Sequence, residues 1–518
     1  MNSYRGSNPS MADHSGGLAR TLRRGAVMSG TGLIVTQTVA VLQTLVLARL
    51  LSPAEVGIFA AGTVLTVLLM DFAQGALTQA LIQRQHDVED AANTVFWVTL
   101  GTGLLASVVA LATAPLMGHL FDNSTVTLVA AATSGTMLMH AVTSVPDALM
   151  QRRFQFSRRL IVDPAVAISF AVVSVTLATL EFGVWSLVFG YYASLSVWII
   201  ASWWLAKWRP GGGCASYGLW REMAVFAFPL LLEGVVARVR DAVELVLIGH
   251  RLNESALGNY RYGRRIAMFP GVAVVQICSY VLFPAFSRIS DDPIRFKHAF
   301  LRALGWIWLA AVPTAALMVA LGEPLTVLLL GEPWRGAGVA LAAMAGFGLG
   351  EAMNSVSSES MKGAGRADRI NWMILVGVLT GLPLLVLLLP LGLAGVGMAI
   401  SASAIIVGIT GLGLVRSVVG VSVAEIAARM VPPLIASLVA FAVIAPLEHF
   451  AVHSDQLPVL QGIGMICLEG ALFVLIYLAA LRVVAPSTFA EGLRAARSVL
   501  DRVPGVRVGS GTPPHHNY

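Results

Sequence analysis

Five charged residues, Glu233, Arg238, Arg240, Asp241 and Glu244, stand inside an apolar run over 222–249. At 100° per residue, Glu233, Arg240 and Glu244 lie within about 40° of one another, with Asp241 next and Arg238 beyond it. A helix over this run has one charged side and one apolar side. The next run, 256–284, opens with Tyr260, Arg261, Arg264 and Arg265, whose i,i+3,i+4 spacing puts three guanidinium groups on one face. Guanidinium pairs bidentately with phosphate oxygens, so this face suits a polyanion such as a phosphate or pyrophosphate. Asp71, Gln74 and Thr78 recur at i,i+3,i+7 with Gln79 beside them, and run 25–48 offers Gln37 and Gln43. Glu351, Asn354, Ser355, Ser358 and Glu359 share one broad face ahead of Lys362. Carboxylates set in apolar runs are candidates for ion coupling or gating. The plainer reading is internal pairing, for example Arg238–Asp241 at i,i+3 or Arg240–Glu244 at i,i+4. For Asp71 and Glu351 it is a helix–helix hydrogen bond, and for Arg261 snorkelling to an interface.

The elements that hold these residues are apolar and long. Of 518 residues 57% are hydrophobic and 12% charged, with a mean hydropathy of +0.78. A soluble chain is nearer half apolar and a quarter charged. The composition therefore excludes a cytosolic multidomain enzyme, a disordered chain and a disulfide scaffold, and predicts an all-α integral membrane protein. Fourteen runs can cross: 25–48, 54–82, 93–117, 124–150, 160–180, 183–206, 222–249, 256–284, 299–321, 336–361, 370–389, 391–415, 431–449 and 460–484. Each comes to about the 20 residues a hydrocarbon core needs. Five charges in the seventh run would cost on the order of 10 kcal/mol if they faced lipid. That side is expected to line a hydrated cavity.

No catalytic constellation is present. There is no phosphate-binding loop of the Walker type, and the connections are too short for an outer catalytic domain. His119 and His140 stand alone and read as incidental, and Cys214, Cys278 and Cys467 lack metal-ligand spacing. The pI near 9.5 comes without any run of five basic residues, so nucleic acid is not an expected partner. No enzyme activity, cofactor or metal is expected.

Positive charge sets the orientation. With both ends inside, the cytoplasmic segments hold 26 Lys and Arg, and the outer loops hold three, Arg49, Arg251 and Arg335. Five fall in or at the ends of spans: Arg238, Arg240, Arg261, Arg264 and Arg265. Both termini are expected in the cytoplasm, with 1–24 and 485–518 as tails.

The chain also repeats. Leu51-Ser-Pro-Ala-Glu-Val-Gly57-Ile-Phe59 matches Leu252-Asn-Glu-Ser-Ala-Leu-Gly258-Asn-Tyr260 at an offset of 201, and Gly183-Val184 recurs as Gly395-Val396. This predicts two homologous six-helix bundles, 25–206 and 222–415, with two further helices in 431–484. Both copies begin inside, so they are parallel repeats about an axis along the membrane normal.

Leu47-Ala-Arg-Leu-Leu-Ser-Pro-Ala-Glu-Val-Gly57 resembles the opening signature of the polysaccharide-exporter branch of the multidrug/oligosaccharidyl-lipid/polysaccharide flippase superfamily. Gln79-Ala-Leu-Ile-Gln-Arg84, Leu149-Met-Gln-Arg-Arg-Phe-Gln-Phe156, Phe182-Gly-Val-Trp-Ser-Leu-Val188, Asp241 with Leu247-Ile-Gly249, and Val281-Leu-Phe-Pro-Ala-Phe-Ser-Arg288 resemble it too. The sequence departs at Asn259, where a small or aromatic residue is commoner. No basic residue lies between Arg24 and Arg49, which favours the polysaccharide branch over the lipid II flippase branch.

The resemblance implies Wzx-like lobes in a V, and flipping of a polyprenyl-pyrophosphate-linked oligosaccharide across a bacterial inner membrane for surface polysaccharide or lipopolysaccharide synthesis. It also implies proton or sodium coupling, with membrane lipids, a polysaccharide polymerase and glycosyltransferases as partners. On this reading Arg238, Arg240, Arg261, Arg264, Arg265, Gln37 and Gln74 contact substrate. Asp71, Asp241, Glu233, Glu244, Glu351 and Asn354 serve coupling or gating. The alternatives are a drug or metabolite/cation antiporter on the same fold, and a lipid II flippase.

Overall fold

The computed structural model describes residues 35–152, 156–278, 282–487 and 489–490. The expected tail 1–24, the first ten residues of the first run and most of the tail 485–518 lie outside the described residues. So do the side chains of Asp71, Gln74 and Glu233.

Every regular element among the described residues is helical, as it must be where hydrocarbon offers the backbone no partner. In chain order these are α1 (Val35–Leu50), α2 (Pro53–Gly62), α3 (Val64–Gln83), α4 (Val88–Phe121), α5 (Ser124–Thr133), α6 (Thr136–Arg152), α7 (Phe156–Thr179), α8 (Val184–Ala206), α9 (Tyr217–Arg251) and α10 (Glu254–Ile277). There follow α11 (Phe283–Ser287), α12 (Pro293–Leu330), α13 (Arg335–Ala343), α14 (Ala345–Gly363), α15 (Ile370–Leu388), α16 (Gly392–Val419), α17 (Val423–Leu447) and α18 (Val459–Val484).

Nine stretches of the described residues are long and apolar enough to cross a membrane, and α1 with α2 makes a tenth if that pair, bent by 118°, is one span. One stretch, Ala367–Val419, contains both α15 and α16. α9 and α10 are 35 and 24 residues long, and their charged residues lower their hydropathy. Three expected spans are interrupted. Run 54–82 breaks at Thr63, run 124–150 between α5 and α6, and run 336–361 at Met344. At Thr63 the hydroxyl donates back to the carbonyls of Phe59 and Ala60 at 2.9 and 3.1 Å, the local competition that bends helices.

By contacts the chain forms two compact units, Met1–Arg261 and Tyr262–Tyr518. In the first, α9 packs on α3 and α4, and a core of Leu81, Val95, Phe96, Val145, Leu149 and Trp208 joins α3, α4 and α6. The segment after α8 is tied to α4: Asn93 Oδ1 accepts from the Gly211 amide at 3.1 Å and Asp90 Oδ1 from that of Cys214 at 2.8 Å. In the second unit Phe286, Phe300, Leu304, Val356, Met361 and Val415 join α11, α12, α14 and α16. There α17 and α18 pack on α12 around Phe473 and Tyr477.

The two copies of the repeated turn meet inside the first unit. A Cβ on Gly57 would stand 1.8 Å from the Glu254 carbonyl oxygen, and one on Gly258 would stand 1.9 Å from that of Pro53. Glu254 is Pro53 shifted by 201 and Gly258 is Gly57 shifted by 201. The contact is therefore reciprocal, the form that a two-fold relation gives.

Two prolines inside helices are answered by side chains. Proline lacks an N–H, so the carbonyl four residues earlier loses its partner. Pro146 frees the Val142 carbonyl, which accepts from the Trp203 indole at 3.2 Å. Pro313 frees that of Leu309, which accepts from the Tyr477 hydroxyl at 2.9 Å.

Candidate functional site

In the first unit α6 carries a polar stripe. Thr136, His140, Thr143, Ser144, Asp147 and Gln151 recur every three or four residues and so share one face. His140 is buried, and its Nε2 lies 2.9 Å from the Tyr191 hydroxyl on α8. Trp198, two turns further along α8, meets the His140 ring edge to face at 5.5 Å. Thr99 on α4 shares a hydrogen bond of 3.1 Å with Ser144. Below this level, Gln151 Nε2 donates to Asp147 Oδ2 at 2.8 Å. Thr78, Gln79, Thr143, Asp147, Gln151 and Trp198 line a groove of about 220 Å³. Amide and carboxylate groups beside an indole face make a surface that can hydrogen-bond hydroxyls and stack on a ring.

Arg261 belongs to the same unit. Its guanidinium lies over the Phe59 ring at 5.4 Å, a cation–π contact, and it is near the Tyr191 phenol. Arg261 thus reaches toward α2 and α8. Beside it Tyr260 is fully buried and donates its hydroxyl to Glu244. Arg240 Nη2 lies 3.5 Å from Asp241 Oδ1, and the side chains are 49% and 26% exposed. Two contacts of the α9 charges are seen in the structure. Asp241 meets its own neighbour Arg240, and Glu244 meets a tyrosine from the next helix. Arg238 is half-buried on the same helix.

In the second unit Arg264 is half-buried, with its Nε 3.4 Å from Met268 Sδ, while Arg265 is exposed. Arg264 shares a face of α10 with Gly271, seven residues on and about 10 Å along the axis. Gly271 packs on α14, where a Cβ in its place would stand 3.0 Å from the Phe347 ring and 3.8 Å from Cβ of Glu351. Glu351 accepts from Asn354 Nδ2 at 3.0 Å and Ser355 Oγ at 3.2 Å. Glu359, further along, is paired with Lys362 at 2.9 Å. The polar residues of α14 thus form a ladder along their own helix. Gln37 is exposed on α1. Asp71, Gln74 and Glu233 lie on α3 and α9, their side chains outside the described residues.

Residue-by-residue reading did not find Asp147, Gln151, Tyr191 and Trp198, and it set His140 aside. The signal was available as the period of polar positions through 136–151. It is masked by the apolar composition of the rest of that run.

This arrangement of helices is that of a known class. The lipid II flippase MurJ, in an inward closed conformation, matches 90% of this chain and 100% of its own at a TM-score of 0.71 and 16% identity. A multidrug resistance MATE family transporter of the MOP superfamily, inward-facing, matches 74% of this chain and 94% of its own at 0.60 and 14%. The chain therefore has the fold of the multidrug/oligosaccharidyl-lipid/polysaccharide flippase superfamily. Within it the chain belongs to the polysaccharide biosynthesis protein family, whose sequence profile matches residues 46–338. Among curated relatives it is 26% identical over 321 residues to the succinoglycan biosynthesis transport protein ExoT of Rhizobium meliloti, covering 61% of this chain. It is 21% identical over 416 residues to the teichuronic acid biosynthesis protein TuaB of Bacillus subtilis, covering 78% of this chain and 85% of TuaB. The match spans 64% of the length of ExoT.

Proposed function

We propose that the protein flips a polyprenyl-pyrophosphate-linked oligosaccharide from the inner to the outer leaflet of a bacterial inner membrane, for surface polysaccharide synthesis. The observation that carries this reading is the company kept by the charges. A chain of apolar helices carries guanidinium groups on α9 and α10 and, in the same fold unit as Arg240 and Arg261, a polar groove that Trp198 helps to line. Arg240, Arg264 and Arg265 hold the pyrophosphate, with Arg238, Arg261, Gln37 and Gln74 as further contacts. The α6 groove receives a sugar, and the lipid tail stays in the bilayer. Asp71, Asp241, Glu233, Glu244, Glu351 and Asn354 couple the cycle to a proton or sodium gradient.

The proposed architecture has fourteen spans, both termini in the cytoplasm, two six-helix bundles over 25–206 and 222–415, and two added helices in 431–484. A polysaccharide polymerase and glycosyltransferases act beside it. The family membership and the ExoT and TuaB likenesses support the reading. A deletion strain tests it. Loss of surface polysaccharide with unchanged drug susceptibility is expected. Intact polysaccharide with altered drug or cation sensitivity would overturn it in favour of an antiporter.

A further inference from the structure

Two carboxylic residues of the C-terminal helix pair take no part in the proposed transport site. Glu448 follows the last turn of α17 and Glu469 sits near the middle of α18; they are 6% and 2% exposed. The Glu448 oxygens are supplied with donors. Oε1 accepts from the Ser454 amide and Oε2 from the Ser454 hydroxyl, both at 2.8 Å. Neither oxygen of Glu469 receives a hydrogen bond from any described residue, yet its carboxyl lies against that of Glu448. The apolar core that joins the three helices holds Ala440 and Ile444 of α17, Ile466 and Phe473 of α18, and Leu321 and Leu328 of α12.

Among the described residues no cation forms an ion pair with either carboxyl. Arg335, on the neighbouring corner, is already closed by Glu323 of α12 at 2.7 Å, Glu332 at 2.8 Å and Asp455 at 2.6 Å. The nearby histidines His449 and His453 are exposed. Tyr477, two turns along α18, gives its hydroxyl to Leu309, and Cys467 is exposed.

A buried carboxylate without a donor or counter-ion is costly, and two in contact cost more. A proton between them removes one charge and supplies the missing hydrogen bond, as in a carboxyl dyad. A sodium ion would ask for five or six oxygens, more than the side chains of this pair and Ser454 supply. We propose that Glu448 and Glu469 form a proton-binding site, in which Glu469 is the acid that donates to Glu448 and Ser454 fixes the acceptor. The site would sit in α17–α18, apart from the carboxylates assigned to coupling, and it stands whether or not the chain is a flippase.

Infrared difference spectroscopy on the purified full-length protein tests it. At neutral pH the wild type should show a buried carboxylic C=O band that shifts in D₂O, and Glu469→Gln should lose it. The Gln amide still donates to Glu448, so the variant should keep its helical circular dichroism. If Glu469→Gln does not fold, Glu448→Gln reads the same pair. Its amide donates to Glu469, the proton is no longer needed, and the band should again be lost. A band that persists in either folded variant would overturn the shared proton. So would carboxylate bands that move on adding NaCl, with no acid band in the wild type.

Discussion

A guanidinium among apolar helices lowers its cost by finding an aromatic face, a carboxylate or a bound anion, and these arginines differ in which they have. Arg261 has the Phe59 ring and the neighbourhood of Tyr191, and Arg240 has Asp241 at the outer limit of a hydrogen bond. Arg265 is exposed beside half-buried Arg264, whose Nε lies 3.4 Å from Met268 Sδ. On the α6 stripe, Asp147 and Gln151 already hydrogen-bond each other at 2.8 Å, so their remaining donors and acceptors face the groove in fixed positions. Asp147→Ala removes a charge-assisted hydrogen bond of roughly 1.5–3 kcal/mol. It is expected to lower Tm accordingly and, in the protein that still folds, to slow translocation of lipid-linked oligosaccharide about tenfold or more, measured after reconstitution. An equal rate would remove the groove from the substrate path. His140 shows why single residues mislead. It stands alone in sequence, but its partner Tyr191 is on another helix, 51 positions away.

At the scale of elements, hydropathy located helices well and their breaks poorly. α8, α15 and α18 begin and end within a few residues of the apolar runs, because an apolar stretch in lipid has no alternative to a helix. The breaks at Thr63 and Met344 leave no trace in hydropathy, since the chain remains apolar through both. The repeated turn was legible as a pattern; that its two glycines close on each other is legible only in three dimensions. Gly258→Ala puts a methyl group into the Pro53 carbonyl. It should cost at least the 1–3 kcal/mol of an overpacked core, seen as a lowered Tm in detergent, whereas Gly413→Ala, with nothing near, should not. The proline compensation gives a second test. Tyr477→Phe leaves the Leu309 carbonyl unsatisfied and should cost about 1–3 kcal/mol. In a Pro313→Ala background the restored backbone N–H should abolish that cost, and a cost that persists would mean that Tyr477 acts through packing alone.

For the molecule as a whole, the uneven distribution of basic residues predicts the orientation, and native cysteines can test it. Cys214 is exposed in the segment after α8, Cys467 is exposed within α18, and Cys278 is buried. In a Cys278→Ala, Cys467→Ser background, a membrane-impermeant maleimide should label Cys214 in inverted vesicles and leave it untouched in intact cells. Replacing Cys214 by Ser and adding His453→Cys should reverse the outcome, and labelling of Cys214 from outside would invert the topology.

The central claim is that the α10 arginines grip the pyrophosphate of a lipid-linked saccharide, and reconstituted translocation measures it most directly. With the purified protein in proteoliposomes and a polyprenyl-pyrophosphate oligosaccharide in the inner leaflet, wild type should deliver substrate to the outer leaflet. Arg264→Ala with Arg265→Ala should slow this by at least tenfold, while the same double variant keeps its helical content and Tm. Wild-type rates from the folded double variant would contradict the assignment.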